Sequence, residues 1–109
     1  MLIRKADCPA EPSAHATSKR VIARGGVLPQ VTQIAEAAFE QPFVVEPHEH
    51  PTMYEVFYVL EGTATYTVGA QVHEAAPGDL VIVPPATRHA IRVTTPPHRI
   101  FYWGLVVAN

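Results

Sequence analysis

Cysteine is almost missing: Cys8 stands alone among 109 residues, so no internal disulfide can form, and a lone thiol agrees with a reducing compartment. Long apolar runs are missing too. No uncharged stretch reaches the roughly 20 residues a membrane-spanning helix needs, and Met1-Leu2-Ile3-Arg4-Lys5 lacks the apolar centre of a secretory signal. Cations are sparse: 8 Lys and Arg stand against 10 Asp and Glu, a formal charge of −2, and no basic run exceeds Arg4-Lys5 or Lys19-Arg20. Phosphate contacts need clustered cations, so nucleic acid is not an expected partner. A membrane is not expected either, and the expected address is cytoplasmic. Internal repeats and low-complexity segments are absent, the length suits one domain, and no Ser-His or Cys-His nucleophile is visible.

What the chain does hold is a succession of short apolar runs punctuated by turn residues. Residues 1–18 mix charges with Pro9 and Pro12 and read as an extended arm or a frayed terminus, with His15 solvated; residues 19–109 read as the folded domain. Within it, strands are expected at Val21–Arg24, Val31–Phe39, Phe43–Val45, Tyr54–Leu60, Thr63–Val68, Gln71–Ala75, Leu80–Val83, His89–Thr94 and Arg99–Val107. Glu61-Gly62 and Gly69-Ala70 read as hairpin turns, the second of type II′, and Pro77-Gly78-Asp79 as a turn tripeptide. About nine short strands without a convincing helix indicate an all-β sandwich or barrel.

One stretch carries chemistry: Pro47-His48-Glu49-His50-Pro51-Thr52-Met53-Tyr54-Glu55. On a strand, residues two apart share a face, with Cα atoms about 6.7 Å apart, so the imidazoles of His48 and His50 project together. Pro51-Thr52 breaks the strand and can let Glu55 return to the same cavity, and His89, after Pro84-Pro85, is a candidate fourth donor. Three imidazoles and one carboxylate suit zinc, iron, manganese, nickel or copper better than magnesium or calcium.

The pattern His48-x-His50-x4-Glu55-x6-Gly62, followed by Gly78-Asp79-x4-Pro84-x-Ala86-x2-His89-x3-Val93, resembles the two motifs of a small single-domain cupin of the RmlC-like kind, over roughly residues 20 to 108. Pro42, Ala86 and Val93 replace residues usual in those motifs, none of them at a ligand position. The resemblance implies a double-stranded β-helix, a jelly-roll barrel, holding one divalent transition metal per chain through His48, His50, Glu55 and His89.

Parity extends the cavity. If Glu55 faces inward, so do Phe57 and Val59; if His89 does, so do Ile91 and Val93; Ala64, Tyr66 and Val68 form a third wall. Gln33 and Tyr102 are candidates for polar contacts, Met53 for covering the mouth, and Arg88 for meeting a substrate carboxylate at the rim. Tyr66 and Tyr102 are the candidate catalytic proton-transfer groups, with Glu46, placed at the rim, as an alternative. His73 reads as a solvent-facing strand residue and His98 as a loop residue. The expected ligand is small, weakly charged and partly apolar. Two functions fit: a metal-dependent enzyme of dioxygenase or of isomerase or lyase type acting on a small organic molecule, and a non-catalytic ligand-binding or sensory module. Tyr58, Leu60, Phe101, Trp103 and Leu105 exceed what one barrel can hide, so a homodimer is expected.

Overall fold

The structure is a computed structural model that describes residues 1–13 and 18–107; His15 lies outside the described residues. A single 3-10 turn at Lys5–Asp7 precedes ten strands: β1 (Ala10–Pro12), β2 (Ser18–Ala23), β3 (Val31–Phe39), β4 (Phe43–His48), β5 (Met53–Glu61), β6 (Ala64–Val68), β7 (Gln71–Ala75), β8 (Leu80–Val83), β9 (His89–Val93) and β10 (His98–Val106). They form a six-stranded sheet in the order β1-β2-β3-β10-β5-β8 and a four-stranded sheet in the order β4-β9-β6-β7. Every pairing is antiparallel. The two layers enclose one core, the jelly-roll arrangement expected of this pattern.

The alternation of apolar residues explains which side of each strand turns inward. Ala35, Ala37 and Phe39 of β3, Phe57 and Val59 of β5, Ile91 and Val93 of β9, and Ile100 of β10 are buried, and each follows period two along its strand. Burying a side chain such as Val59 contributes roughly 1.5–3 kcal/mol relative to leaving it exposed. The small side chain of Ala37 leaves room in the interior beside it.

The turn tripeptide holds one strand in place. Asp79 N–H donates to the Ala76 carbonyl at 2.9 Å, the Asp79 carboxylate accepts from Ala76 N–H at 2.8 Å, and Gly78 N–H reaches the Val59 carbonyl at 2.9 Å. Gly69 takes φ +58 while Ala70 does not take a positive φ, as a II′ hairpin between β6 and β7 requires.

Two readings change. Glu61-Gly62 does not close a hairpin, because β5 belongs to the six-stranded sheet and β6 to the four-stranded one; the segment crosses between layers beneath Pro97, whose carbonyl oxygen would lie 2.0 Å from a Cβ at position 62. His98 is no loop residue: it opens β10 and is fully buried. The N-terminal arm runs along the edge of the sheet, with Ala10, Glu11 and Pro12 paired to Arg20, Lys19 and Ser18, and Cys8 just before them is buried.

Candidate metal centre

His48 ends β4 and His89 opens β9, directly opposite each other in the antiparallel ladder. A register shift between Val45 and His48 accommodates Pro47, which has no N–H to give the ladder. His50 follows in the connecting turn, and Glu55 reaches in from β5 of the opposing sheet. Donor atoms of His48, His50, Glu55 and His89 all lie within 4.8 Å of one another. Among the described residues these four form a cluster able to hold a metal ion.

Two backbone carbonyls fix the imidazoles. His48 Nδ1 lies 2.9 Å from the Glu46 carbonyl, and His89 Nδ1 lies 3.0 Å from the Thr87 carbonyl. A carbonyl oxygen only accepts, so each Nδ1 carries the proton and each Nε2 offers its lone pair to the cluster. Metal-bound histidines are oriented in this way. His89 Nε2 then stands 3.2 Å from Glu55 Oε1, and His50 Nε2 stands 3.6 Å from Glu55 Oε2. A ring lone pair facing a carboxylate oxygen needs a proton or a cation between them. For the His89 imidazole, burial alone would lower its pKa, but the Glu55 carboxylate and the Thr87 carbonyl outweigh it and hold the pKa above the ordinary value. The donor set therefore fits a divalent ion, which would displace that proton. A further tie joins the motifs: Ala86 N–H donates to the His50 carbonyl at 2.8 Å, with Ala86 at φ +55, so alanine here adopts the left-handed conformation that glycine takes more easily.

Beside the cluster lies a cavity of about 310 Å³, lined by His48, His50, Glu55, Gln33, Phe57, Ile91 and Tyr102 among others. Met53, expected to cover the mouth, is absent from that lining; it lines a neighbouring pocket that shares Gln33, His50, Glu55 and Tyr102 with it. Phe57 stacks on Tyr102 with ring centroids 6.0 Å apart. Tyr102 has a raised pKa, from burial first and then from the nearby negative charges of Glu55 and Glu11, so its hydroxyl stays protonated across the neutral range.

Other expected wall residues stand elsewhere. Val59 is fully buried in the core and absent from the lining. Tyr66 is buried behind Phe57, its hydroxyl sharing a 2.8 Å hydrogen bond with His98 Nε2, and burial pushes its pKa well up; it faces His98 rather than the cavity. Arg88 is exposed because His89, its neighbour, turns inward. His73 is exposed on β7, and Glu46 is exposed while its carbonyl orients His48.

The cation that does line the cavity is Lys19, with Ser13 nearby on the same lining. Lys19 escaped the sequence reading because the strand was expected to begin at Val21, whereas β2 begins at Ser18. Extending the parity of buried Val21 and Ala23 back by one step would have found it.

Comparison with known proteins gives three kinds of likeness. The sequence model described as "Cupin domain" matches residues 38–103. An uncharacterized protein of Methanocaldococcus jannaschii is 39% identical over 44 residues, which are 40% of this chain and 35% of that protein, so the match spans about a third of that relative's length. Among solved structures, a predicted oxalate decarboxylase from Thermotoga maritima superposes with a TM-score of 0.88 at 15% identity, covering 98% of this chain and 100% of that one. KdgF from Halomonas sp. does so with a TM-score of 0.85 at 16% identity, covering 100% and 96%. At these identities the structures share a fold with this chain.

Proposed function

Because the chain belongs to the cupin domain family, and because its four donors converge beside a cavity, we propose that it is a metal-dependent enzyme acting on a small organic molecule. The observation that carries this reading is the convergence of His48, His50, Glu55 and His89 donor atoms within 4.8 Å. These residues would hold one divalent manganese, iron, nickel, copper or zinc ion. Bound there, the ion would supply Lewis-acid polarisation, or with a redox-active metal the activation of dioxygen, so the reaction is of isomerase or lyase type or of dioxygenase type. The Thermotoga protein of the same fold, described as a predicted decarboxylase, is in keeping with lyase chemistry.

The protein's own residues do the rest. Phe57 and Ile91 exclude water from one side of the cavity, Gln33 offers an amide to orient a polar substrate group, and Met53 flanks the site from the neighbouring pocket. Tyr102, protonated and beside Glu55, is the hydroxyl placed to give or take a proton. The same reading makes the active form a homodimer, supported by the apolar outer face of the six-stranded sheet: Phe101, Tyr58 and Leu80 align across β10, β5 and β8, with Trp103, Val56 and Ile82 beside them.

The test is elemental analysis of protein purified without added metal, followed by aerobic and anaerobic assays on small diketones, phenols and sugars. Expected are about one transition-metal ion per chain, its loss in the His50→Ala, His89→Ala double variant, and metal-dependent consumption of substrate. Stoichiometric metal retained in that variant would remove the basis of the proposal.

A further inference from the structure

Lys19 is a cation turned into a largely apolar cavity. It lies on β2 opposite Ala37 of β3, on the inward face shared with buried Val21 and Ala23, and it lines the same cavity as His48, His50 and Glu55. Most of the other cations on this sheet and arm are occupied. Lys5 pairs with Glu36 at 2.8 Å, Arg24 with Glu11 at 2.9 Å, Arg99 with Glu36 and Glu61 at 2.8 and 3.0 Å, and Arg20 donates to the Cys8 carbonyl. The Lys19 side chain makes no hydrogen bond or ion pair among the described residues, and the carboxylate on the cavity lining, Glu55, belongs to the donor cluster. Lys19 is half-buried, its stem lying along the cavity wall, and an ammonium that meets no carboxylate of its own there is available to a ligand that brings the negative charge.

The placement defines that ligand further. In the sheet order β2-β3-β10-β5, Lys19 and Glu55 stand three strands apart on the same sheet, so the lysine and the donor cluster are separated across the cavity, with Phe39, Phe57 and Ile100 lining the space as well. A cavity of about 310 Å³ is at the small end of ligand sites. Resting on the proposed function, we infer that the substrate is a short organic acid: Lys19 holds its carboxylate, an apolar middle crosses Phe57 and Ile100, and its other polar end faces the donor cluster. Lys19 is thus a binding and specificity residue, and the expectation of a weakly charged ligand is replaced by that of an anion.

The experiment titrates succinate, glutarate and adipate, and glutaric diamide as the uncharged control, into wild-type protein and into Lys19→Met, Lys19→Arg and Arg88→Gln, following heat or intrinsic fluorescence with metal content measured on each sample. At least one dicarboxylate is expected to bind wild type and Arg88→Gln alike, to bind Lys19→Met about tenfold or more weakly, and to recover in part in Lys19→Arg, while the diamide binds all four without preference. Equal dicarboxylate binding by Lys19→Met and wild type, or no dicarboxylate binding to wild type at about 10 mM, would overturn the inference. Carboxylate binding that depends on Lys19 in protein holding no metal would leave this inference standing and remove the metal reading instead.

Discussion

His98 shows how one buried titratable residue ties stability to pH. Its Nε2 shares the hydrogen bond with Tyr66, and its Nδ1 sits against the Glu61–Gly62 backbone without a well-formed bond. Burial lowers its pKa, against the raising effect of those backbone groups. The unfolded imidazole titrates near about 6.5, so between that value and the lower folded one the unfolded chain binds more protons. The stability contributed by neutral His98 is complete above about pH 6.5 and is lost as pH falls through the folded pKa. His98→Gln keeps a polar group near Nε2 and removes the titration. It is expected to cost about 1–3 kcal/mol at pH 8 through the weakened Tyr66 contact, and the gap from wild type should narrow toward pH 5. Urea denaturation of both proteins in chelator across that range measures the gap, and the opposing contribution of His89 is common to both and cancels. A gap independent of pH would show that His98 does not titrate in this window.

At the scale of the element, Gly62 decides how β5 hands the chain to the other sheet. It holds φ +72, and a Cβ there would meet the Pro97 carbonyl oxygen at 2.0 Å and Pro97 C at 3.1 Å, both backbone atoms that cannot swing aside. Gly26 is the matched control, with φ +99 and nothing within 4 Å of a Cβ. Gly26→Ala carries only the left-handed backbone cost of about 1–2 kcal/mol, whereas Gly62→Ala adds the collision and is expected to lose at least about 3 kcal/mol. Thermal melts of the two variants should therefore differ by several degrees, on the order of 4–8 °C for each kcal/mol in a domain of this size; equal melting points would refute the crossover contact. The same glycine marks where local pattern stops being informative. β3, β7 and β8 have the bounds that period-two alternation predicts, and the inward faces of β5 and β9 follow from Glu55 and His89, because parity is a property of a few consecutive residues. Which sheet a strand joins depends on distant partners, so Glu61-Gly62 looked like a hairpin while β5 pairs with β10 and β8. His98 looked like a loop residue after Pro97 for the same reason: its burial comes from Tyr66 and Phe39, far away in sequence. The donor cluster was legible because its spacing is itself local in two motifs, whereas Lys19 required knowing that β2 starts three residues before Val21.

For the whole molecule, the unbalanced feature is the outer face of the six-stranded sheet. Leu80 and Ile82 are 52% and 53% exposed, and Tyr58 39%, and the strand registers bring them into two adjoining rows with Phe101 and Trp103. A monomer would leave this apolar area in water, at roughly 25 cal/mol for each Å² that a partner could cover. A second copy offers the same surface, which a two-fold axis makes self-complementary, and a formal charge of −2 per chain gives little repulsion between copies. Light scattering at micromolar concentration is therefore expected to return twice the 11.9 kDa chain mass. Replacing outward Ile82 and Trp103 together by glutamate should yield a monomer, since the paired faces would then bury four unpaired carboxylates. Glu55 of the donor cluster lies on the inner side of the same β5 strand that carries Tyr58 outward, so metal content measured on that monomer separates assembly from the site: metal retained in a monomer places the ion within one chain, and a wild-type protein that scatters as a monomer would overturn the dimer.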